Sequence, residues 1–203
     1  MKENKWKAKV NAVAQFFLCK HFSVLKFCDK IESIIKKIGD SAMNIRKAEL
    51  GDLSQIRSIY AHARTLMRET GNGTQWKNTY PTDKIILSDI ENGYLHLLFD
   101  GDGIQGVFAF LPKGDPVYDR IDGAWLNEKP HAAVHRVASA GRKKGILPAC
   151  MRYCLSKADN IKIDTHENNK IMQHQLEKMG FVRCGIVTLA NGETRVAYQH
   201  DAM

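Results

Sequence analysis

The sequence predicts an α/β (α+β) domain over residues 43–203, preceded by a basic extension over residues 1–42. Three observations carry that reading. Strand-like alternation and helix-like periodicity interleave in the order β-α-(α)-β-β-β-β-α-β-α-β-β. Glycine, proline and asparagine punctuate the junctions. One strand passes into a helix through a glycine- and base-bearing turn at residues 139–147.

Each element has its own signal. Residues 44–46 read as a short strand. Residues 52–69 read as a helix, because Leu53, Ile56, Ile59, Tyr60, Ala63 and Leu66 form one apolar stripe. Asp52 is placed to cap that helix, and Gly71-Asn72-Gly73 breaks it. Residues 74–83 form a polar-aromatic loop, and Pro81-Thr82-Asp83 opens a second helix that runs to Glu91. Strands at 94–99 and 104–111 flank Asp100-Gly101-Asp102-Gly103, a hairpin signature. A strand at 131–138, a helix at 145–158 and a strand at 161–166 follow, the last with Lys162 and Asp164 on one face and Ile161 and Ile163 on the other. A helix at 167–179 is closed by Gly180, and strands at 184–189 and 194–199 are joined through Asn191-Gly192.

Composition excludes several classes. Hydrophobic residues make up 44% of the chain and charged residues 26%, the balance of a globular protein. The longest apolar run, residues 10–19, is interrupted by Asn11 and Gln15 and is too short to span a bilayer. Lys2, Lys5, Lys7 and Lys9 precede an apolar stretch as in a signal peptide, but Cys19-Lys20-His21 is not a cleavage site. A cytoplasmic protein with reduced thiols is therefore expected. None of the five cysteines forms a C-x-x-C pair, so no metal site is expected, and Cys150 and Cys154 are spaced for one buried helix face. The net charge of +8 divides unevenly: residues 1–42 carry +5 and residues 43–203 carry +3. The domain itself is close to balanced, and neither nucleic acid nor membrane is expected as a partner. Residues 1–42 lack Arg and Pro and carry helical spacing over 24–38. They read either as an extension ahead of a natural initiator at Met43 or as an amphipathic N-terminal helix.

The chemistry concentrates at Ser139-Ala140-Gly141-Arg142-Lys143-Lys144-Gly145-Ile146-Leu147. Free amides of a first helical turn converge on one spot, and the helix dipole reinforces their field. Arg142, Lys143 and Lys144 add mobile positive charge, and Gly145 permits a positive φ or a close approach. A phosphate or pyrophosphate ligand is the expectation. The segment matches neither a Walker loop nor Gly-x-Gly-x-x-Gly.

The run Val137-x-Ser139-x-x-Arg142-x-x-Gly145-Ile146 resembles the coenzyme-A motif of the GNAT N-acetyltransferases, Arg/Gln-x-x-Gly-x-Gly/Ala, after its central strand. Further on, Asn169-x-x-Met172 and Leu176-Glu177-Lys178-Met179-Gly180-Phe181 resemble the family's Asn-x-x-Ala-x-x-Leu-Tyr-Glu-Lys-x-Gly-Phe. The resemblance spans residues 43–203. It implies a mixed, mostly antiparallel central sheet of about six or seven strands flanked by helices, binding acyl-coenzyme A. Two departures stand out: Leu147 replaces the last small residue of the turn, and Leu176 replaces a tyrosine that protonates the departing thiolate.

What the resemblance implies is transfer of acetyl from acetyl-coenzyme A to a primary amine of a small molecule or peptide. The parallel strands near 132–138 and 161–166 would part to admit the pantetheine. Backbone groups at Val137 and Ser139, the turn residues 142–147, Asn169 and Met172 would then contact the coenzyme, and an amide near Val137 would stabilise the oxyanion. His135, Asp164 and His166 are the candidate bases, His135 and Asp164 foremost, with Asp119 and Glu128 further off. His135 is placed on the same face as Val137 and Ser139. Trp76 and Tyr80 in the aromatic loop, and Tyr118 opposite, are the candidates for acceptor binding. A GNAT-fold sensor that binds acyl-coenzyme A without transfer is the alternative, and a homodimer is the one assembly left open. A chain that starts at Met43 is expected to fold and to bind coenzyme A as the full chain does. Aggregation of that truncation, or a large fall in its Tm, would make residues 1–42 part of the core.

Overall fold

The sheet is built outward from two strands that are apolar on both faces. In β2 (Leu95–Asp100) and β3 (Gly103–Leu111) Leu95, Leu97, Leu98 and every residue from Ile104 to Phe110 are buried. Such strands are stable only with cover on both sides. The computed structural model describes residues 43–202, and the helix expected over 24–38 lies outside them.

Cover comes from helices on both faces. On one face lie α1 (Leu53–Glu69), the single turn α2 (Gly73–Trp76) and α3 (Asp83–Glu91), which contribute Ile56, Ile59, Tyr60, Ala63, Trp76 and Ile86 to one apolar cluster. On the other lie α4 (Ile146–Leu155) and α5 (Lys170–Lys178), whose Ile146, Cys150, Met151, Cys154 and Leu176 join a second cluster. Cys150 and Cys154 are buried there together as free thiols. No helix among the described residues is long and apolar enough to cross a membrane.

The remaining strands are β1 (Asn44–Lys47), β4 (Asp122–Gly123), β5 (Ala132–Ser139), β6 (Asn160–Thr165), β7 (Val182–Thr188) and β8 (Thr194–Asp201). They form one eight-stranded sheet in the order β1-β2-β3-β5-β6-β8-β7-β4, antiparallel except for the β5–β6 pair. The extra strand over the expected count is β4, two residues hydrogen-bonded at the edge to Gly185 and Ile186.

Three local expectations are corrected. Residues 73–76 coil into a turn of helix that buries Trp76, where an open loop was expected. The last helix starts at Lys170, three residues later than its apolar spacing suggests, because the Asn169 side chain accepts from the Met172 amide and caps it there. Asp52 occupies the N-cap position of α1 but does not cap it. Its carboxylate turns back to accept from Arg46 at 2.7 and 2.8 Å and from the Glu49 amide at 2.9 Å, tying β1 to the start of α1.

One irregularity positions everything that follows. The β3–β5 ladder pairs Val107 with Ala138 and Ala109 with His135, so Phe108 faces two residues, Arg136 and Val137. Arg136 sits at φ +55, a left-handed conformation that non-glycine residues avoid. This bulge shifts the side-chain alternation by one, and Val134 and Val137 both reach the same apolar cluster. On its other edge β5 pairs with β6 only from Ala132–Ile161 to Val134–Ile163. Beyond Val134 the two strands part.

The Arg46 guanidinium, with the Glu49 amide, holds the Asp52 carboxyl below the usual carboxylate range. Its contribution to stability is therefore complete above pH ~4, the ordinary aspartate value, and is lost as pH falls through the depressed native value. Asp52→Asn is expected to lower stability by about 1 kcal/mol at pH 7 and by much less at pH ~3. Urea unfolding at both pH values measures this, and equal losses would assign the pair's contribution to shape rather than charge.

Candidate functional site

Where β5 and β6 part, a cavity of about 420 Å³ opens between them. Its floor is the bulged segment Val134 to Val137 and the end of β6 from Ile163 to Thr165. Asn169 and Met172 from the start of α5 close one side, Trp76 and Tyr80 another, and the β7–β8 connection from Leu189 to Arg195 a third. Trp76 is held rigidly, its ring edge-on to Tyr60 at 5.7 Å and tilted against Tyr80 at 6.0 Å.

The chemically active wall is acidic around one imidazole. His135 Nε2 lies 3.1 Å from Asp115 Oδ2, and Nδ1 lies 3.8 Å from Asp164 Oδ1. The His135 imidazole beside Asp115 holds that carboxyl below its usual range, with further help from the Val117 amide, which donates to Asp115 at 2.9 Å. Negative charge thus stands ready on both sides for a proton taken up at His135. The Tyr118 hydroxyl donates to Asp164 at 2.7 Å, and its ring stacks on His135 at 5.7 Å. Burial pushes the Tyr118 phenol well above its ordinary value, so it remains a donor at any working pH.

That geometry corrects two expectations. Tyr118 does not line the cavity; it lies behind it and fixes Asp164 and His135. His135 does not share a face with Val137 and Ser139, because the bulge at Arg136 falls between them; it turns toward Tyr118 while Val137 turns to the opposite cluster. Both residues still meet the cavity, since it opens along the strand edge.

Several lining groups carried no sequence signal. Glu193 bridges Lys77 at 2.6 Å and Arg195 at 2.8 Å, and Lys77 first, then Arg195, hold its carboxyl at about 2. Gln75 accepts at its side-chain oxygen from Asn72 and from Asn169, which links the aromatic wall to the cap of α5. Arg136 and its partner Asp89 come from segments 47 residues apart. Asp115 also went unweighted as a partner of His135. Apart from Glu193–Arg195 and Asn72–Gln75, which are near neighbours in sequence, these pairs join distant segments that only the fold brings together.

The turn between β5 and α4 lies outside this cavity, with Ser139, Arg142, Lys143, Lys144, Gly145, Ile146 and Leu147. Gly145 is the N-cap of α4 at φ +82, and Gly141 sits at φ +76, where a Cβ would collide with the His62 ring. The Gly141 amide donates to Ser139 Oγ at 3.0 Å, and Ala140 donates to the Gln105 carbonyl. The amides of residues 142–147 donate to no backbone carbonyl among the described residues, as befits the open end of a helix. The expectation of mobile side-chain charge is corrected for two residues. Arg142 donates to the Ile104 carbonyl and to Gln105 at 3.3 Å, and Lys143 pairs with Asp100 at 2.6 Å and Asp102 at 3.0 Å. Both are committed to the β2–β3 hairpin, while Lys144 is exposed and unpaired among the described residues. Ile146 is buried in the core and Leu147 packs against it, so each offers the turn an amide only.

Leu176, at the position of the family tyrosine, is fully buried in the core and does not reach the cavity. Tyr153 packs on Phe108, the Tyr198 hydroxyl donates to Glu177, and neither lines the cavity. Tyr80 is the tyrosine that lines the cavity. Among the described residues, no group of His, Cys, Asp and Glu side chains is arranged to hold a metal ion.

No family model matches the sequence, nor does any curated protein. Similarity to solved structures is extensive. An acetyltransferase of the GNAT family from Streptococcus agalactiae is 31% identical with a TM-score of 0.72, over 79% of this chain and 96% of that one. A GNAT-family acetyltransferase from Listeria monocytogenes is 22% identical with a TM-score of 0.57, over 78% and 94%. A Salmonella typhimurium protein solved with its cofactor acetyl-CoA is 16% identical with a TM-score of 0.54, over 80% and 95%.

The φ of Gly145 gives the turn a testable dependence on backbone rather than charge. Gly145→Val forces a β-branched residue into the left-handed region and is expected to weaken binding of a pyrophosphate-bearing ligand at least about tenfold. Arg142→Ala, which removes a side chain already committed elsewhere, is expected to weaken it by about threefold or less. Calorimetric titration of both variants with coenzyme A decides it, and equal small losses would move the ligand off this turn.

Proposed function

The chain belongs to the GNAT acetyltransferase family, and on that premise we propose that it transfers the acetyl group of acetyl-coenzyme A directly to a primary amine of a small molecule or peptide. The single observation that carries this reading is the parting of β5 and β6 beside the open amides of the following turn. The Salmonella protein that binds acetyl-CoA supports the same choice of co-substrate.

The residues fit such a co-substrate. The turn offers amides at 142–147 for the pyrophosphate, and parted strands expose unpaired backbone edges suited to pantetheine amides. The thioester would then reach the bulge, where the Val137 amide is the donor for the oxyanion that develops on its carbonyl. The acceptor enters beside Trp76 and Tyr80, and the carboxylates of Asp115 and Asp164 draw its ammonium end toward His135. His135 takes the ammonium proton, and the nitrogen attacks the carbonyl carbon to give a tetrahedral oxyanion; its collapse breaks the carbon–sulfur bond as the nitrogen gives up its second proton. With Leu176 buried in place of the family tyrosine, the thiolate leaves as such and is protonated by solvent or by the proton the amine releases. Positioning supplies most of the acceleration.

The direct test is thiol release from acetyl-coenzyme A with a panel of primary amines. Binding of coenzyme A without thiol release would favour a sensor. With an active amine in hand, kcat/KM is expected to rise with pH and to show no descending limb near pH 10, where an unperturbed phenol titrates. His135→Gln is expected to lower kcat/KM by about 100-fold and to remove that rise's dependence on the enzyme. An unchanged ascending limb would strike His135 from the mechanism. A descending limb abolished by Tyr80→Phe would assign the missing acid to Tyr80.

A further inference from the structure

A strained point of the described backbone is also the point on which acetyl transfer would turn. Bulges of this kind place one residue in a left-handed conformation and commonly use glycine for it. Here the residue is Arg136, at φ +55, a conformation that a side chain disfavours. Left to itself, such a strand would relax toward regular pairing with Phe108 and rotate the Val137 amide with it.

Every polar group of Arg136 that resists this is anchored from the helical layer above. Its carbonyl accepts from the Tyr60 hydroxyl at 3.2 Å. Its guanidinium donates to Asp89 Oδ1 at 2.9 Å, with Nε 2.8 Å from Oδ2, and donates to the Tyr80 hydroxyl at 3.3 Å. Tyr60 and Asp89 are buried on α1 and α3, so the anchors are themselves immobile. Asp89 does not line the cavity and lies in the apolar layer beneath α3. A buried ion pair of this sort adds little net stability over an apolar replacement. Fold stability alone therefore gives the chain no reason to keep the charged pair there.

We propose that Asp89 is a positioning residue: its ion pair with Arg136 locks the β5 bulge and thereby fixes the direction of the Val137 amide. The inference rests on the transferase reading above. It assigns Asp89 no contact with either substrate, and the effect of losing it appears in the chemical step rather than in coenzyme binding.

The experiment measures kcat, KM for acetyl-coenzyme A, Tm and the backbone amide resonance of Val137 in the wild type and two variants. Asp89→Asn keeps shape and one acceptor oxygen but removes the charge that holds the guanidinium. It is expected to lower kcat by about 100-fold, the scale of losing one oxyanion donor, with KM for acetyl-coenzyme A changed by less than about threefold. Its Val137 resonance is expected to shift. Adding Arg136→Gly to Asp89→Asn removes both the orphaned cation and the strain, because glycine takes the positive φ unaided. The double variant is expected to regain at least about tenfold in kcat and to return the Val137 resonance toward its wild-type position. Should Asp89→Asn alone not fold, the double variant still carries the test, and it is expected to fold and to turn over within about tenfold of wild type.

A kcat for folded Asp89→Asn within about threefold of wild type overturns the inference. So does a double variant that folds and remains as slow as Asp89→Asn, since the guanidinium would then act on the substrate itself. Wild-type protein that releases no thiol with any amine overturns the transferase reading and takes this inference with it, whereas turnover insensitive to Asp89→Asn overturns this inference alone.

Discussion

Hydrogen bonding between β5 and β6, the one parallel pair among the described residues, stops after Val134 and Ile163, and the rest of the site follows from that interruption. A regular ladder would leave no room for a ligand between two central strands, because adjacent strands lie only ~5 Å apart. The bulge at Arg136 and Val137 supplies the turn of the strand that breaks the ladder, and the cavity is the space so created. The apolar layers on both faces make the opening tolerable. β5 keeps Val134 and Val137 against one cluster and Ala138 against the other, and β6 keeps Ile161 and Ile163 in the first, so losing backbone pairing along one edge does not loosen the core.

Around the opening, charge is arranged in closed local groups. Arg136 answers Asp89, Arg195 and Lys77 share Glu193, and His135 stands between Asp115 and Asp164. The last group is the asymmetric one, with two carboxylates around a single imidazole and a phenol donating to one of them. This is the wall suited to receiving an ammonium group, whereas the Glu193 cluster is largely spent on holding the β7–β8 connection against the aromatic wall.

Periodicity made most of the fold legible: the apolar stripes of α1 and α4 and the alternation in β6 and β8 lie where their residues place them. The chemical centre of gravity was legible as well, since a strand, a glycine-bearing turn and a helix occur in one continuous segment. What escaped had no local signature. Two residues of β4 are too few to show alternation. An arginine in the left-handed region looks like any strand arginine, so the face of His135 came out reversed. Lys143 reads as a mobile cation until the hairpin 40 residues earlier brings Asp100 and Asp102 to it. Tyr118 reads as a wall of the acceptor site until its hydroxyl is seen against Asp164.

The commitment of Arg142 and Lys143 to the β2–β3 hairpin has a consequence for how this turn would hold a phosphate. Flexible side-chain cations attract anions over distances at which dissolved ions compete, and their pull fades as ionic strength rises. Amides fixed at a helix start act at contact range through directed hydrogen bonds, and counterions do not dilute them in the same way. Recognition built on the backbone of residues 142–147 would therefore be nearly indifferent to the saltiness of its surroundings. It would also tolerate exchange of most side chains in the turn, as long as Gly141 and Gly145 keep the chain's path.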